Sequence, residues 1–212
     1  MMYASRTGTR RNLAALRAAG WGLLVSRAGV WRTEGFDRYV LDNGAWADFQ
    51  AGREFQAEPF EQLVDMLGAG AEWIVLPDIV AGGLASLALS TRWLNRCLAV
   101  CPLVLIAVQD GMVEADLAPL VGRSVGIFLG GSTEWKLANM ARWGEFCRAR
   151  DVHYHVARVN TARRIWMATA AGADSMDGSS GSRFATTIRE LDLALRQDDL
   201  YRRIECAVAN GC

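Results

Sequence analysis

Three aspartates close apolar runs in this chain. Asp42 ends the run Tyr39–Asn43, Asp78 ends Glu72–Asp78, and Asp177 ends Ser175–Asp177 just ahead of a Gly-Ser stretch. Each alone reads equally well as a helix cap or a turn former, the two commonest uses of Asp. Other runs end in polar or small residues as well: Ser5, Ser26, Asn43, Gln109 with Asp110, Gly130 with Gly131, and Arg158 to Asn160. If these ends meet on one rim, the residue types suit one another. Two carboxylates across a small cavity can divide labour, one attacking a sugar carbon and the other giving a proton to the leaving group. A third can accept two parallel hydrogen bonds from a guanine-like N–H and amino edge. Gln109 and the backbone N–H groups at Gly130 and Gly131 would donate to a carbonyl oxygen, and Trp46 would stack on a planar ring. Together these groups fit a purine base better than a sugar or an acid.

The elements that must position them alternate along the chain. Strands are expected at Met2–Ser5, Trp21–Ser26, Tyr39–Asn43, Glu72–Asp78, Leu103–Gln109, Val125–Gly131, His153–Val159 and Ser175–Asp177. Helical spacing covers Thr9–Gly20, Glu58–Gly68, Leu84–Val100, Glu114–Val121, Glu134–Arg150, Thr161–Gly172 and Phe184–Gln197, and a loop is expected after Gly44. Apolar strands each followed by a helix or a long connection indicate parallel βα units. Eight of them in 212 residues predict a (β/α)8 TIM barrel near the lower size limit of that fold, with a doubly wound open sheet as the alternative. One domain spanning 1–212 is expected. In a barrel the polar strand ends share the C-terminal face, which favours a site over eight separate turns.

Composition bounds the rest. With 51% hydrophobic and 22% charged residues the chain is of ordinary globular type, and a net charge of zero excludes a global basic field. Lys136 is the sole lysine among the cations, the others being arginines. The clusters Arg6/Arg10/Arg11, Arg163/Arg164 and Arg202/Arg203 could line a phosphate backbone, although a coding bias toward arginine explains them as well. No apolar run is long enough to span a membrane and no signal-peptide core begins the chain, so a cytoplasmic protein is expected. Five cysteines (Cys97, Cys101, Cys147, Cys206, Cys212) with no Cys-x-x-Cys pair predict reduced thiols and no zinc site. His153 and His155 lie two apart on one strand face; without a third ligand they are expected to be packed rather than metal-bound. Neither a P-loop nor a dinucleotide fingerprint is present.

Several short motifs, taken in order, resemble the tRNA-guanine transglycosylase superfamily, and more closely its small paralogues of deazapurine DNA modification. Asp42-Asn43-Gly44-Ala45-Trp46 is similar to the family's Asp-Ser-Gly-Gly-aromatic-Gln motif. Pro77-Asp78 resembles its Phe-Asp-Glu strand end, and Val108-Gln109-Asp110-Gly111 followed by Gly130-Gly131 its Val-Gln-Gly-Gly and Gly-Gly segments. Gly172 to Gly178 resembles the segment carrying the nucleophile. The resemblance implies a base-exchange glycosyltransferase replacing guanine in a polynucleotide with a 7-deazaguanine such as preQ0. Asp177 would form a covalent bond to C1′, Asp42 would manage the proton on the base, Asp78, Gln109, Gly130 and Gly131 would hold the base, and Asn43 and Arg158 would complete the site. The family's Cys-x-Cys-x-x-Cys insertion has no counterpart, so no zinc or other cofactor is expected and DNA is favoured over tRNA as partner. A queuosine-type tRNA enzyme, a hydrolase or transferase of free nucleosides, and a non-catalytic base-binding barrel are the alternatives.

Overall fold

Eight parallel strands close into a barrel in chain order, with the last pairing to the first. The structure is a computed structural model describing residues 1–6 and 9–209, with side chains described through residue 197. The side chains of Cys206, Arg202 and Arg203, and the whole of Cys212, lie outside the described residues. The strands are β1 (Met2–Ser5), β2 (Gly22–Ser26), β3 (Tyr39–Asp42), β4 (Ile74–Val75), β5 (Val104–Val108), β6 (Val125–Leu129), β7 (Tyr154–Val156) and β8 (Ser175–Gly178). The helices are α1 (Arg10–Ala18), α2 (Ala45–Gln50), α3 (Ala57–Leu67), α4 (Gly83–Leu98), α5 (Glu114–Leu117), α6 (Thr133–Arg148), α7 (Ala162–Ala170), α8 (Ser180–Arg183) and α9 (Ala185–Ala209). The expected TIM barrel is therefore present, and the open-sheet alternative is excluded by the β1–β8 pairing.

Strand periodicity sorts the side chains into two apolar sets. One alternate set, including Leu23, Leu41, Ile74, Ile106 and Ile127, packs outward against the helices. The other, Tyr3, Leu24, Val40, Trp73, Val75, Leu105 and Ala107 with Phe128, fills the barrel interior. Full burial of each such side chain stabilises the fold by roughly 1.5–3 kcal/mol. The parity that turns Val40 inward also turns Asp42 inward at the next position up. It does the same for Gln109 above Ala107, and for Asp177 above Ser175.

Several elements differ from expectation, among them β7, three residues long where His153–Val159 was expected, and α8, a helical turn in the Gly-Ser stretch. The segment after Gly44 is helical at once, as α2, where a loop was expected. β4 is two residues long rather than running to Asp78, because Pro77 has no N–H to give a ladder. The expected helix Glu114–Val121 is a single turn, α5. Residues 27–38 join β2 to β3 with no helix. Elsewhere local chemistry agrees with sequence: the Thr9 hydroxyl accepts from the Asn12 N–H at 3.4 Å and starts α1, and the Ser132 hydroxyl accepts from the Trp135 N–H at 3.3 Å and starts α6. Among the described residues no helix is long and apolar enough to cross a membrane.

Candidate functional site

All nine candidate residues border one cavity of about 720 Å³ at the C-terminal end of the barrel: Asp42, Asn43, Trp46, Asp78, Gln109, Gly130, Gly131, Arg158 and Asp177. Interior Leu24, Val75, Ala107 and Phe128 form its apolar floor, and Trp46 stacks on Phe49 at its lip with ring centroids 5.7 Å apart.

Asp78 lies beyond the short β4, and side-chain amides hold it there. Asn43 Nδ2 donates to its Oδ1 at 2.7 Å and Gln109 Nε2 to its Oδ2 at 3.1 Å. Asn43 also donates to the Leu76 carbonyl at 2.6 Å, and Gln109 to the Ser86 hydroxyl at 2.9 Å. Ser86 accepts in addition from the Ile79 N–H, and Ser90 donates to the Pro77 carbonyl, so α4 clamps the loop from below. Burial pushes the Asp78 carboxyl up to about 6; the amide donors oppose this and the neighbouring Asp42 reinforces it.

Asp42 accepts from the Gly44 N–H at 3.1 Å. Its carboxyl is held above the ordinary carboxylate range, chiefly by burial and further by the charge of Asp177. The loop carrying Asp42 and Asn43 rests on a buried ion pair. Arg27 donates to the Asn43 carbonyl at 3.1 Å and the Gly44 carbonyl at 3.3 Å, and pairs with Asp48 of α2. Sequence reasoning passed over this pair because Arg27 lies in a helix-free connection and Asp48 in an unexpected helix.

Asp177 is bound from two sides. Its Oδ1 accepts from His155 Nε2 at 3.0 Å and from the Arg158 N–H at 3.2 Å. Arg158 has a φ of 56°, a left-handed conformation uncommon outside glycine. Its guanidinium lies over the Trp46 ring at 4.7 Å and donates to the Gly131 carbonyl, bridging the mouth of the cavity. His155 is wholly buried, stacked on Phe128 at 4.8 Å and tilted against Trp73 at 4.7 Å, and burial lowers its pKa against the opposing pull of Asp177. The expectation that His155 is packed is met, yet the ring also meets a site carboxylate. Period-two parity could have revealed this, since His155 on β7, with His153 just before it, and Ser175 and Asp177 on β8 are inward positions of adjacent strands. Lys136 is also inside, 1% exposed, but its ammonium donates to the Ala157 carbonyl and it does not border the cavity. Of the arginine clusters, Arg6 is paired with Glu34.

No protein-family model matches the chain, and no curated protein does. Its fold is similar to those of several solved structures. One described as native KDPGal has a TM-score of 0.61 at 12% identity, covering 94% of this chain and 96% of that one. N-acetylneuraminate lyase from Mycoplasma synoviae has a TM-score of 0.60 at 10% identity, covering 99% and 79%. 3-Hexulose-6-phosphate synthase from Salmonella typhimurium has a TM-score of 0.55 at 11% identity, covering 93% and 99%.

These findings correct the expected family and activity. These similar barrels include a lyase, a synthase and a mandelate oxidase, none of them a tRNA-guanine transglycosylase. The guanine-exchanging glycosyltransferase, its queuosine-type and free-nucleoside variants and the base-binding barrel are set aside with it. Both Asp78 oxygens accept from the protein's own amides. Asp177 is hydrogen-bonded to an imidazole and a backbone N–H. The motifs that suggested the family are short strand-end patterns that a barrel of this topology produces wherever it builds a rim.

Proposed function

We propose that this protein is an acid–base enzyme acting on a small carbonyl compound with an anionic end, making or breaking a carbon–hydrogen or carbon–carbon bond beside the carbonyl. The observation that carries this reading is the rim cavity itself, where burial brings a carboxyl, Asp78, to about 6 beside a second raised carboxyl, Asp42. A carboxylate poised near neutrality is matched to taking and returning a proton. Its oxygens keep lone pairs beyond those given to Asn43 and Gln109.

In this scheme Asp78 removes the proton, from carbon in an enolisation or from a β-hydroxyl in a retro-aldol cleavage. The electron pair moves to the carbonyl oxygen, where the Arg158 guanidinium offsets the developing charge, and Asp42 supplies the proton on the return. Arg183, also at the cavity, suits a carboxylate or phosphate at the far end of the ligand. Trp46 and Phe49 close over its apolar face. Lys136 is buried with its ammonium held on the Ala157 carbonyl, which favours acid–base chemistry over an imine to lysine. The lyase and synthase among the similar folds are compatible with this class of reaction.

The test uses proton exchange with solvent. The protein is incubated in D2O with a panel of 2-oxo acids, hydroxy ketones and sugar phosphates, and deuterium entering the carbon beside the carbonyl is followed by NMR. At least one compound should exchange, and Asp78→Asn should slow that exchange by about 100-fold or more. Exchange undiminished in the variant, or none across the panel, refutes the reading.

A further inference from the structure

A second set of polar groups runs through the barrel where side chains of this fold are ordinarily apolar and branched. His153 Nε2 lies 2.8 Å from Ser175 Oγ, the same Oγ lies 2.9 Å from His155 Nδ1, and His155 Nε2 lies 3.0 Å from Asp177 Oδ1. The chain begins at the partly exposed His153, at the N-terminal end of the strands beside Asp174, Glu72 and the amino terminus. It ends at a carboxylate bordering the rim cavity. Gly126 of β6 packs tightly beside its first member: a Cβ there would stand 2.6 Å from Leu105 Cδ2, 2.7 Å from the His153 carbonyl oxygen and 3.1 Å from its Cβ.

The donors can be ordered by elimination. A carboxylate only accepts, so His155 Nε2 carries the proton given to Asp177. Buried among Trp73, Phe128 and Tyr3, His155 is neutral, which leaves Nδ1 bare and able only to accept. The Ser175 hydroxyl must then donate to it, and Ser175 Oγ must accept from His153 Nε2–H. All three hydrogen bonds point from the barrel base to the cavity.

We propose that His153, Ser175 and His155 form a proton conduit through the barrel, joining solvent at the base to Asp177 in the cavity. In one passage His155 Nε2 gives its proton to Asp177, the Ser175 proton moves to His155 Nδ1, the His153 Nε2 proton moves to Ser175, and His153 Nδ1 takes one from water. One proton has crossed, both imidazoles remain neutral with their tautomers exchanged, and no charged ring stands among the aromatics. The conduit rests on the acid–base reading of the cavity: a ligand beneath Arg158 and Trp46 shuts out water from above, and a proton then enters the cavity from below, through Asp177. His153, Ser175 and His155 are thus positioning and relay groups rather than catalytic residues.

The experiment needs no substrate, so its failure is distinct from failure of the proposed reaction. The chain has two histidines, and protein labelled with 15N-histidine gives spectra of two imidazoles only. His155 should appear as the Nε2–H tautomer, and the rate at which that proton exchanges with water is the measurement. Ser175→Ala should slow it by about tenfold or more, His153→Phe should do the same, and Ser175→Thr, which keeps a hydroxyl, should restore it. A merely structural serine would on removal leave exchange unchanged or faster. Exchange that is unchanged or faster in both Ser175→Ala and His153→Phe, or a His155 ring protonated at Nδ1, overturns the conduit.

Discussion

Replacing Asp78 by Asn should stabilise the protein above neutral pH while impairing its cavity. The Asp78 carboxyl stands at about 6 in the fold against an ordinary 3.8, so the native state binds more protons than the unfolded chain between these values. A carboxyl raised in this way costs stability as pH rises through the window, the reverse of a salt-bridged aspartate. The shift corresponds to about 3 kcal/mol once Asp78 is fully ionised, or about 6–12 °C in Tm for a chain of this size. His153, pushed down to about 4, and His155, also lowered by burial, act in the opposite sense: their native rings bind fewer protons, so their contribution rises with pH up to about 6.5. Wild-type stability against pH therefore mixes two slopes, and the difference between wild type and Asp78→Asn isolates one. Removing the charge also relieves Asp42, which adds in the same direction. Urea unfolding of both proteins from pH 4 to 8 provides the data. The variant's advantage should grow from near zero at pH 4 to a plateau above pH 7. Parallel curves, or a variant less stable at pH 8, would refute the claim that burial dominates at Asp78.

Three further outcomes are expected. Arg27→Met leaves Asp48 buried with only the half-exposed Arg53 as partner and should lower unfolding free energy by about 3–5 kcal/mol, read from urea denaturation. Gly144→Ala would drive a Cβ to 1.9 Å from the Ala171 carbonyl oxygen, backbone that cannot step aside, and should cost about 2 kcal/mol or more in the same assay. Cys97, Cys101 and Cys147 are buried thiols whose pKa values burial raises, so a thiol reagent should modify them only as fast as the native protein opens; labelling of any of these three at the rate of a free thiol would contradict the packing.

Much of this architecture was legible in the residues. Continuous apolar runs such as Val104–Val108 and Val125–Leu129 are buried on both faces, and the capping hydroxyl of Thr9 marks a helix start that the structure keeps. The convergence of Asp42, Asp78, Gln109 and Asp177 followed from strand ends sharing one face. What stayed hidden depends on pairings between distant segments. Arg27 with Asp48, and Asn43 with Asp78, are contacts that no local spacing encodes. The family motifs misled for the same reason: strand-end Asp and Gly patterns report where a rim is, and not which chemistry the rim performs.

The pairing of β1 with β8 also bears on how the chain reaches this state. Met2 aligns with Met176 and Tyr3 with Asp177, and the Met176 N–H donates to the Met1 carbonyl at 2.8 Å. The seam joins segments almost a whole chain apart in sequence, so its loop-closure entropy is the largest in the fold and it should form among the last contacts. Until β8 is in place, β1 and β7 each present a bare edge of unpaired N–H and C=O groups, open to pairing with another nascent chain. Asp177 lies on the strand that closes this gap. Folding yield and a complete cavity therefore depend on the same strand, β8.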